Sequence, residues 1–346
     1  MQQQRWFRAL WLLIPLLLVT FSLAQAQQSQ PVFRIGVLDA ELGRSPMAHA
    51  WPSLASTKRA ACLMPTDTNF RLELVVQPVD QGSSLNEPVT ALAEAGVVAV
   101  IGPETNELVL SALPQLQSLR VPILTPAIGD TLVASDTSGL VFRTRAAERW
   151  QGAALADYLG NTLNVGQVLT VQLDRNSTAS RVGFSIALGQ LPNPPRERTL
   201  LLDENTTIND LVSAALNSGT AMVVTYGPPE LAVSFYTGLR SAGYVGVFAY
   251  NDALNPVFND SIPFSELRGI LGTTTWAFSS INPLSNAFLN DFVRGYAYVP
   301  GEAEAASYDA VFLLAAALGR QGNLLNNIAA VSNLEGVQGL LSPGDD

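Results

Sequence analysis

Apolar positions along this chain fall in two alternating spacings. Largely apolar runs at Phe33–Leu38, Arg71–Gln77, Val97–Ile101 and Val121–Leu124 are four to seven residues long and read as strands. Between them, residues 52–64 and 84–95 carry helical spacing, as do Leu108, Val109, Ala112, Leu113, Leu116 and Leu119 within Glu107–Leu119. The alternation restarts with a helix over 147–163 and strands at Val168–Leu173, Thr199–Leu202, Ala221–Tyr226, Val245–Tyr250 and Ile270–Trp276. Helices at Ser180–Leu188, Asn209–Leu216 and Leu231–Ala242 separate these strands, and Asn193-Pro194-Pro195 breaks the chain between two of them. Two further helices follow, over about 283–298 and 303–319. Strands that are apolar throughout and alternate with helices predict parallel sheets covered on both faces. The fold class expected is α/β, with two doubly wound parallel-sheet lobes.

Composition agrees with that class. The chain has 346 residues, of which 48% are hydrophobic and 14% charged, enough for about two cores. Its net charge is −10, and Lys58 is the only lysine. An acidic chain without a basic block is a poor partner for nucleic acid or an anionic membrane, so neither is expected. Arg5 and Arg8 precede an apolar stretch from Ala9 to Leu23, and Ala24-Gln25-Ala26 follows as a small-x-small site. That order predicts a signal peptide over residues 1–26 and export to the periplasm or exterior. No cysteine follows the site, so a lipoprotein is not expected. Cys62 is the sole cysteine and His49 the sole histidine. Cys62 falls in the apolar phase of its helix and is expected to be buried. A histidine- or cysteine-rich metal site is excluded, and no cofactor is expected. Gly183-Phe184-Ser185-Ile186-Ala187 does not fit the nucleophile elbow of an esterase, and no phosphate-binding glycine loop is present. The chain is expected not to be an enzyme.

In parallel α/β sheets, ligands bind beyond the carboxyl ends of strands, where helices begin. Glu104-Thr105-Asn106 stands at such a place. The first-turn N–H groups of the helix could receive an anion, or Thr105 or Asn106 could cap them internally. Glu104 argues for the cap, because its charge would repel an anion.

Seven phrases taken together resemble the type I periplasmic binding proteins, in the branched-chain amino acid receptor branch of ABC importers. They are RIGVLDAELG (34–43), VVAVIGPETN (97–106), VPILTPAIGDTL (121–132), VFRTRAAERWQGAALADYL (141–159), TINDLVSAALNSGTAMVVTYG (207–227), LRSAGYVGVFAYND (239–252) and EAASYDAVFLLAAAL (304–318). The resemblance implies two lobes joined by a three-segment hinge, closing on a ligand between them. The first lobe would be 31–144 plus 277–334, and the second 145–276 plus 335–346, with hinges near Thr144, Ala277 and Glu335. The final phrase, EGVQGLLSPGDD, stops where relatives would continue, so a shortened C-terminus is expected.

The same resemblance implies a binding site. Asn106, beside Thr105, takes the place of a small hydroxyl residue that meets the ligand carboxylate. Ala127 keeps its family position, but Gly129 stands where a hydroxyl is usual. Asp252 matches the acidic residue that pairs with the ligand ammonium, although it could instead cap a helix at Ala253-Leu254. Thr178 replaces a stacking aromatic, and Tyr226 and Pro228 lie where another contact is expected. Trp51 stands near an aromatic slot, or else packs on the lobe surface. Trp150 would pack under the hinge. Arg143, Arg145 and Arg149 would pair with carboxylates, with a basic rim for an acidic ligand as the other reading. The implied function is a monomeric receptor delivering an amino acid-like ligand to a membrane permease. A ligand sensor without transport, and a degenerate paralogue that binds nothing, stay open beside it.

Overall fold

The computed structural model describes residues 30–40, 52–62, 68–79, 84–175, 178–278 and 281–343, with the side chains of 40 and 52–56 left aside. The chain runs β1 (Val32–Ala40), α1 (Pro52–Cys62), β2 (Arg71–Val79), α2 (Asn86–Ala95), β3 (Ala99–Ile101), α3 (Asn106–Ser118), β4 (Ile123–Thr125), α4 (Asp130–Ser135) and β5 (Val141–Arg143). It continues through α5 (Glu148–Asp157), β6 (Gln167–Gln172), α6 (Ala179–Gly189), β7 (Arg196–Leu201), α7 (Ile208–Asn217), β8 (Met222–Tyr226), α8 (Pro229–Ser241) and β9 (Val247–Tyr250). Last come α9 (Pro256–Ser261), α10 (Phe264–Leu267), β10 (Ile270–Leu271), α11 (Pro283–Tyr296), α12 (Glu302–Leu318), α13 (Leu324–Ala329) and the hairpin β11 (Leu334–Gly336) with β12 (Gly339–Leu341).

Two parallel five-stranded sheets result, ordered β2-β1-β3-β4-β5 and β10-β9-β8-β6-β7. This is the doubly wound, two-lobe class that the alternation predicts. Both faces of each sheet are covered. Leu38 and Val100 face α2 and α3 through Leu92, Leu113 and Leu116. Their strand neighbours Ile35 and Ile101 face the opposite way, toward Ala60 of α1 and Leu314 of α12. In the second sheet Val223 and Phe248 pack under α7 and α8, while Val224 and Ala249 pack under α5 and α6. Burial on both faces is why these strands read as unbroken apolar runs.

Helix α12 follows the last strand of the second sheet yet packs against α1 of the first. The chain therefore returns to its first unit. Helices α5 and α6 meet through glycines. A Cβ on Gly152 would lie 1.8 Å from the Ser180 carbonyl oxygen, and one on Gly183 would lie 2.1 Å from that of Arg149. Close backbone approach, rather than chemistry, accounts for Gly183 in the Gly-Phe-Ser-Ile-Ala phrase.

Several local expectations are corrected. The strand expected over 270–276 is only Ile270–Leu271; beyond it Thr274 bonds the Trp276 carbonyl and Thr275 bonds Glu302. The helix expected over 147–163 is α-helical to Asp157 and continues as a π turn at Tyr158–Thr162. Cys62 is exposed, since Ala60 takes the inward position at the end of α1. Among the described residues, no helix is long and apolar enough to cross a membrane. The leader expected at 1–26 lies outside the described residues.

Candidate functional site

The carboxyl ends of β3 and β4 and of β6, β8 and β9 carry most of the residues singled out from sequence. Beyond β3, Gly102 has φ +90°, and a Cβ there would meet the Leu38 carbonyl oxygen at 2.1 Å. Only glycine suits both demands. The chain then enters α3. Thr105 is its N-cap, with Oγ1 accepting the Leu108 N–H at 3.2 Å, so the capping role falls to this residue. Asn106 is left for another use. Its Oδ1 accepts the Gly129 N–H at 2.8 Å, and among the described residues its Nδ2 has no partner.

Ala127 is 2% exposed and packs with Val109 and Leu132. Its N–H donates to Thr125 Oγ1 at 3.0 Å, and that hydroxyl donates to the Pro103 carbonyl. Neither its methyl nor its amide opens onto the strand ends. Gly129 is the N-cap of α4, with its N–H already engaged by Asn106.

In the second unit, Thr178 caps α6 by accepting the Arg181 N–H at 3.2 Å. Its hydroxyl also bonds the Glu148 carboxyl. Burial pushes Glu148 above its ordinary range and the charge of Asp130 adds to this, while bonds from Ser180 and Thr178 oppose it. Tyr226 is 1% exposed and packs 6.2 Å from Phe184 inside the core, where burial drives its phenol well up. That placement puts Tyr226 among core side chains rather than at an opening. Pro228 is the residue before α8.

Asp252 lies in the turn after β9. The helix nearby is capped by Asn255, whose Oδ1 accepts the Val257 N–H at 3.0 Å, so the capping alternative for Asp252 is replaced by Asn255. Asn255 also donates through Nδ2 to Asp252 Oδ2 at 2.8 Å. Although the residue has surface open to solvent, protein crowds its carboxyl. Burial and the negative Glu302 raise its pKa, against the Asn255 bond and the positive Arg145. Asp252 of the second unit therefore shares an electrostatic field with Glu302 of the first.

Arg145 joins the two units. It donates through Nη2 to Glu302, through Nε to Thr275 Oγ1 at 3.0 Å, and through Nη1 to the Pro126 carbonyl at 3.3 Å. Glu302 also accepts the N–H and hydroxyl of Thr275, at 3.0 and 2.6 Å. Burial works to raise Glu302, but Arg145, Thr275 and Thr274 outweigh it and hold the carboxyl below its ordinary range. Arg143 and Arg149 both pair with Asp130, so the carboxylate pairing expected of the three arginines is what the structure has. Trp150 is not packed under the hinge. It is 56% exposed, with the Arg149 guanidinium 5.4 Å from its ring. Trp51 lies outside the described residues.

A second network sits behind this one. Asp309 of α12 is buried and accepts Val337 N–H at 2.7 Å, Gln338 N–H at 3.1 Å and Gln338 Nε2 at 3.1 Å. Gln338 Nε2 also donates to the Thr144 carbonyl at 2.7 Å, tying the terminal hairpin to the first crossing between the units. Burial outweighs these donors and pushes the Asp309 carboxyl up to about 6, from 3.8. A raised native value means the folded state holds its proton where the unfolded chain has lost it. The contribution of Asp309 to stability therefore grows as pH falls from 7 through 6 toward 3.8. Melting curves should show this as a gain of about 1 kcal/mol between pH 6 and pH 5 that is missing in Asp309→Asn. An equal pH profile for the two proteins would show that Asp309 titrates normally.

Sequence reasoning missed Arg145 with Glu302, and Asp309 with Gln338. Glu302 and Glu304 are first-turn acids of α12, an ordinary place for a carboxylate. Nothing local marks a partner 157 residues away. Among the described residues there is no group of three or more histidine, cysteine, aspartate or glutamate side chains able to hold a metal.

The model of a family described as periplasmic binding protein matches residues 84–345. No curated protein matches the sequence. Solved structures share the fold. The branched-chain amino acid transporter substrate-binding protein LivJ of Streptococcus pneumoniae, in complex with isoleucine, is 20% identical with a TM-score of 0.68, over 90% of this chain and 91% of that one. The leucine-binding protein LivK of Thermotoga maritima is 21% identical with a TM-score of 0.67, over 89% and 90%. A solute-binding protein of R. palustris in complex with benzoate is 17% identical with a TM-score of 0.64, over 89% and 88%.

Proposed function

The chain belongs to the periplasmic binding protein family, and from that premise we propose that it is an extracytoplasmic solute receptor of an ABC importer. Its ligand is a small polar molecule with an ammonium end, an amino acid or a related amide, held between the lobes 31–144 plus 277–334 and 145–276 plus 335–346. The receptor works as a monomer, closes by hinge motion and hands its ligand to a membrane permease. On this reading it is a binding protein and not an enzyme.

One observation supports this ligand class above the rest. The first lobe offers a donor, Asn106 Nδ2, while the second offers a carboxylate, Asp252. Arg145 touches the Pro126 carbonyl on the loop of Gly129 and lies within the field of Asp252. A donor on one unit and an acidic acceptor on the other suit a molecule with an anionic or carbonyl end and an ammonium end. The neighbours that hold isoleucine and benzoate share an acceptor-bearing small ligand.

A second reading has its own support. Thr105, Thr178, Ala127 and the Gly129 N–H are all occupied by internal partners. Four of the family-matched positions thus serve the protein itself, which favours a paralogue that binds weakly or not at all. A thermal-shift screen of the chain from Gln27 with L-leucine, L-isoleucine, L-valine, L-leucinamide, urea and benzoate separates the two. At 100 times its dissociation constant a ligand adds about 2.7 kcal/mol, or several degrees in a chain of this size. A shift with an aliphatic amino acid or its amide supports the receptor. A shift with benzoate alone removes the ammonium-ligand reading, and a cooperative melt unmoved by all six supports the non-binding paralogue.

A further inference from the structure

Glu148 is bound to both units at once. It opens α5, directly after the first crossing. Its backbone N–H donates to the Ile128 carbonyl at 2.9 Å, and the next N–H, of Arg149, donates to Asp130 Oδ2 at 3.1 Å. The Arg149 guanidinium pairs with the same carboxylate. The first turn of α5 is therefore seated on the loop that follows β4, in the first unit. The carboxylate of Glu148 is committed to the second unit. Its Oε1 accepts the Ser180 N–H at 3.4 Å, and the Thr178 hydroxyl bonds it as well.

The second contact has a physical reason. The first-turn N–H groups of a helix have no partner within it. At α6, Thr178 takes the Arg181 N–H, while Ser180 is 2% exposed and cannot turn to water. Glu148 supplies the missing acceptor, and a carboxylate suits the positive end of a helix. Burial and the nearby Asp130 disfavour the Glu148 charge, so the bonds from Ser180 and Thr178 are what hold it in place. The backbones fix the spacing of the two helix starts. A Cβ on Gly152 or Gly183 would strike the carbonyl oxygen of Ser180 or Arg149.

We infer that Glu148 is a positioning residue that couples the strand-end loops of the two units. Its backbone rides on the loop after β4, its carboxylate holds the start of α6, and a displacement of the first is carried to the second. Ile128–Asp130 and Thr178 stand beyond the carboxyl ends of β4 and β6, where a ligand between the units would lie. Each wall of the site thereby senses the other through the protein. The inference rests on the receptor reading above for this use, but the coupling itself does not.

Amide hydrogen exchange on the full chain without ligand tests it. Glu148→Ala should speed exchange at Ser180 and Arg181 by about tenfold or more relative to Val223 and Val224 in the core of the second sheet. Glu148→Gln keeps an acceptor for Ser180 and should restore both amides to within about threefold of native. Asp130 bonds neither amide, yet Asp130→Ala should speed both by about threefold or more, and should add nothing in the Glu148→Ala background. If Asp130→Ala does not fold, because Arg143 and Arg149 lose a partner, Asp130→Asn takes its place in the cycle. Additive effects of the two substitutions, or equal acceleration at Val223 and Val224, overturn the coupling. Calorimetry with L-leucine tests its use. Glu148→Ala should weaken binding by about tenfold and Glu148→Gln should recover most of that loss. Equal affinity in Glu148→Ala and the native chain overturns the role in the site. If the native chain binds no L-leucine, the receptor reading fails, while the exchange cycle still upholds or overturns the coupling.

Discussion

Asp252→Ala lowers the affinity for L-leucine by about 30-fold or more, and leaves the melt of the unliganded protein nearly unchanged. The affinity figure follows from what the carboxylate does on the proposed reading. It faces an ammonium group in a crowded setting, and truncating one partner of such a pair costs about 2–5 kcal/mol, at 1.4 kcal/mol per tenfold. The fold should not suffer, because the side chain makes one bond, from Asn255 in the same turn. Removing a carboxyl whose charge burial and Glu302 disfavour also relieves that cost. The same raised pKa gives a pH signature. Binding of the ammonium ligand should weaken as pH falls through a value above the ordinary 3.8, earlier than an exposed aspartate would cause. Isothermal titration calorimetry reads both effects. Equal affinity in the variant would remove Asp252 from the site.

Arg145→Ala is expected to have the larger effect on the protein itself. Breaking a buried ion pair from one side costs about 3–5 kcal/mol, and with Arg145 and Glu302 15% and 18% exposed the loss should be about 3 kcal/mol. The Pro126 carbonyl and the Thr275 hydroxyl lose a donor at the same time. Glu302 would then face Asp252 across the lobes with no cation between them, and the repulsion should widen the cleft. A melt and the radius of gyration from small-angle scattering measure the two consequences. Acid stability gives the sign. Native Glu302 is held below 4.5, so its contribution is present above that value and is lost as pH falls through its lowered native pKa. In Arg145→Ala that acid-side loss should shrink. A melt within 0.5 kcal/mol of the native protein, the usual range for an exposed substitution, would show that the clasp carries no load.

Much of the fold was legible because it depends on local period. Strand β8 was read at Ala221–Tyr226 and lies at Met222–Tyr226; α3 was read at Glu107–Leu119 and lies at Asn106–Ser118. A strand buried on both faces must be apolar throughout, and a half-covered helix must repeat every three or four residues. The errors fall where that rule has no grip. Strand β10 stops at Leu271 because Thr275 has Glu302 to bond, and apolar content after Leu271 could not announce this. The short helix α9 has too few turns to show a period, and its cap at Asn255 took the role considered for Asp252.

The sequence by itself determined the alternation of strands and helices that makes two parallel sheets, while the return of the chain through α11 and α12 and most of the candidate site positions were legible only through the family resemblance. The alternation follows from hydrophobic spacing and turn chemistry, which act over a few residues. Only the tertiary structure decided what the polar groups at the strand ends do. Thr105 and Thr178 spend their oxygens on helix caps, Asn106 holds Gly129, Arg145 holds Glu302 and Asp309 holds the terminal hairpin. The last three are bonds across 23, 157 and 28 residues, respectively. A polar side chain carries the same donors and acceptors wherever it stands, and its partner is chosen by distance and direction in the folded chain.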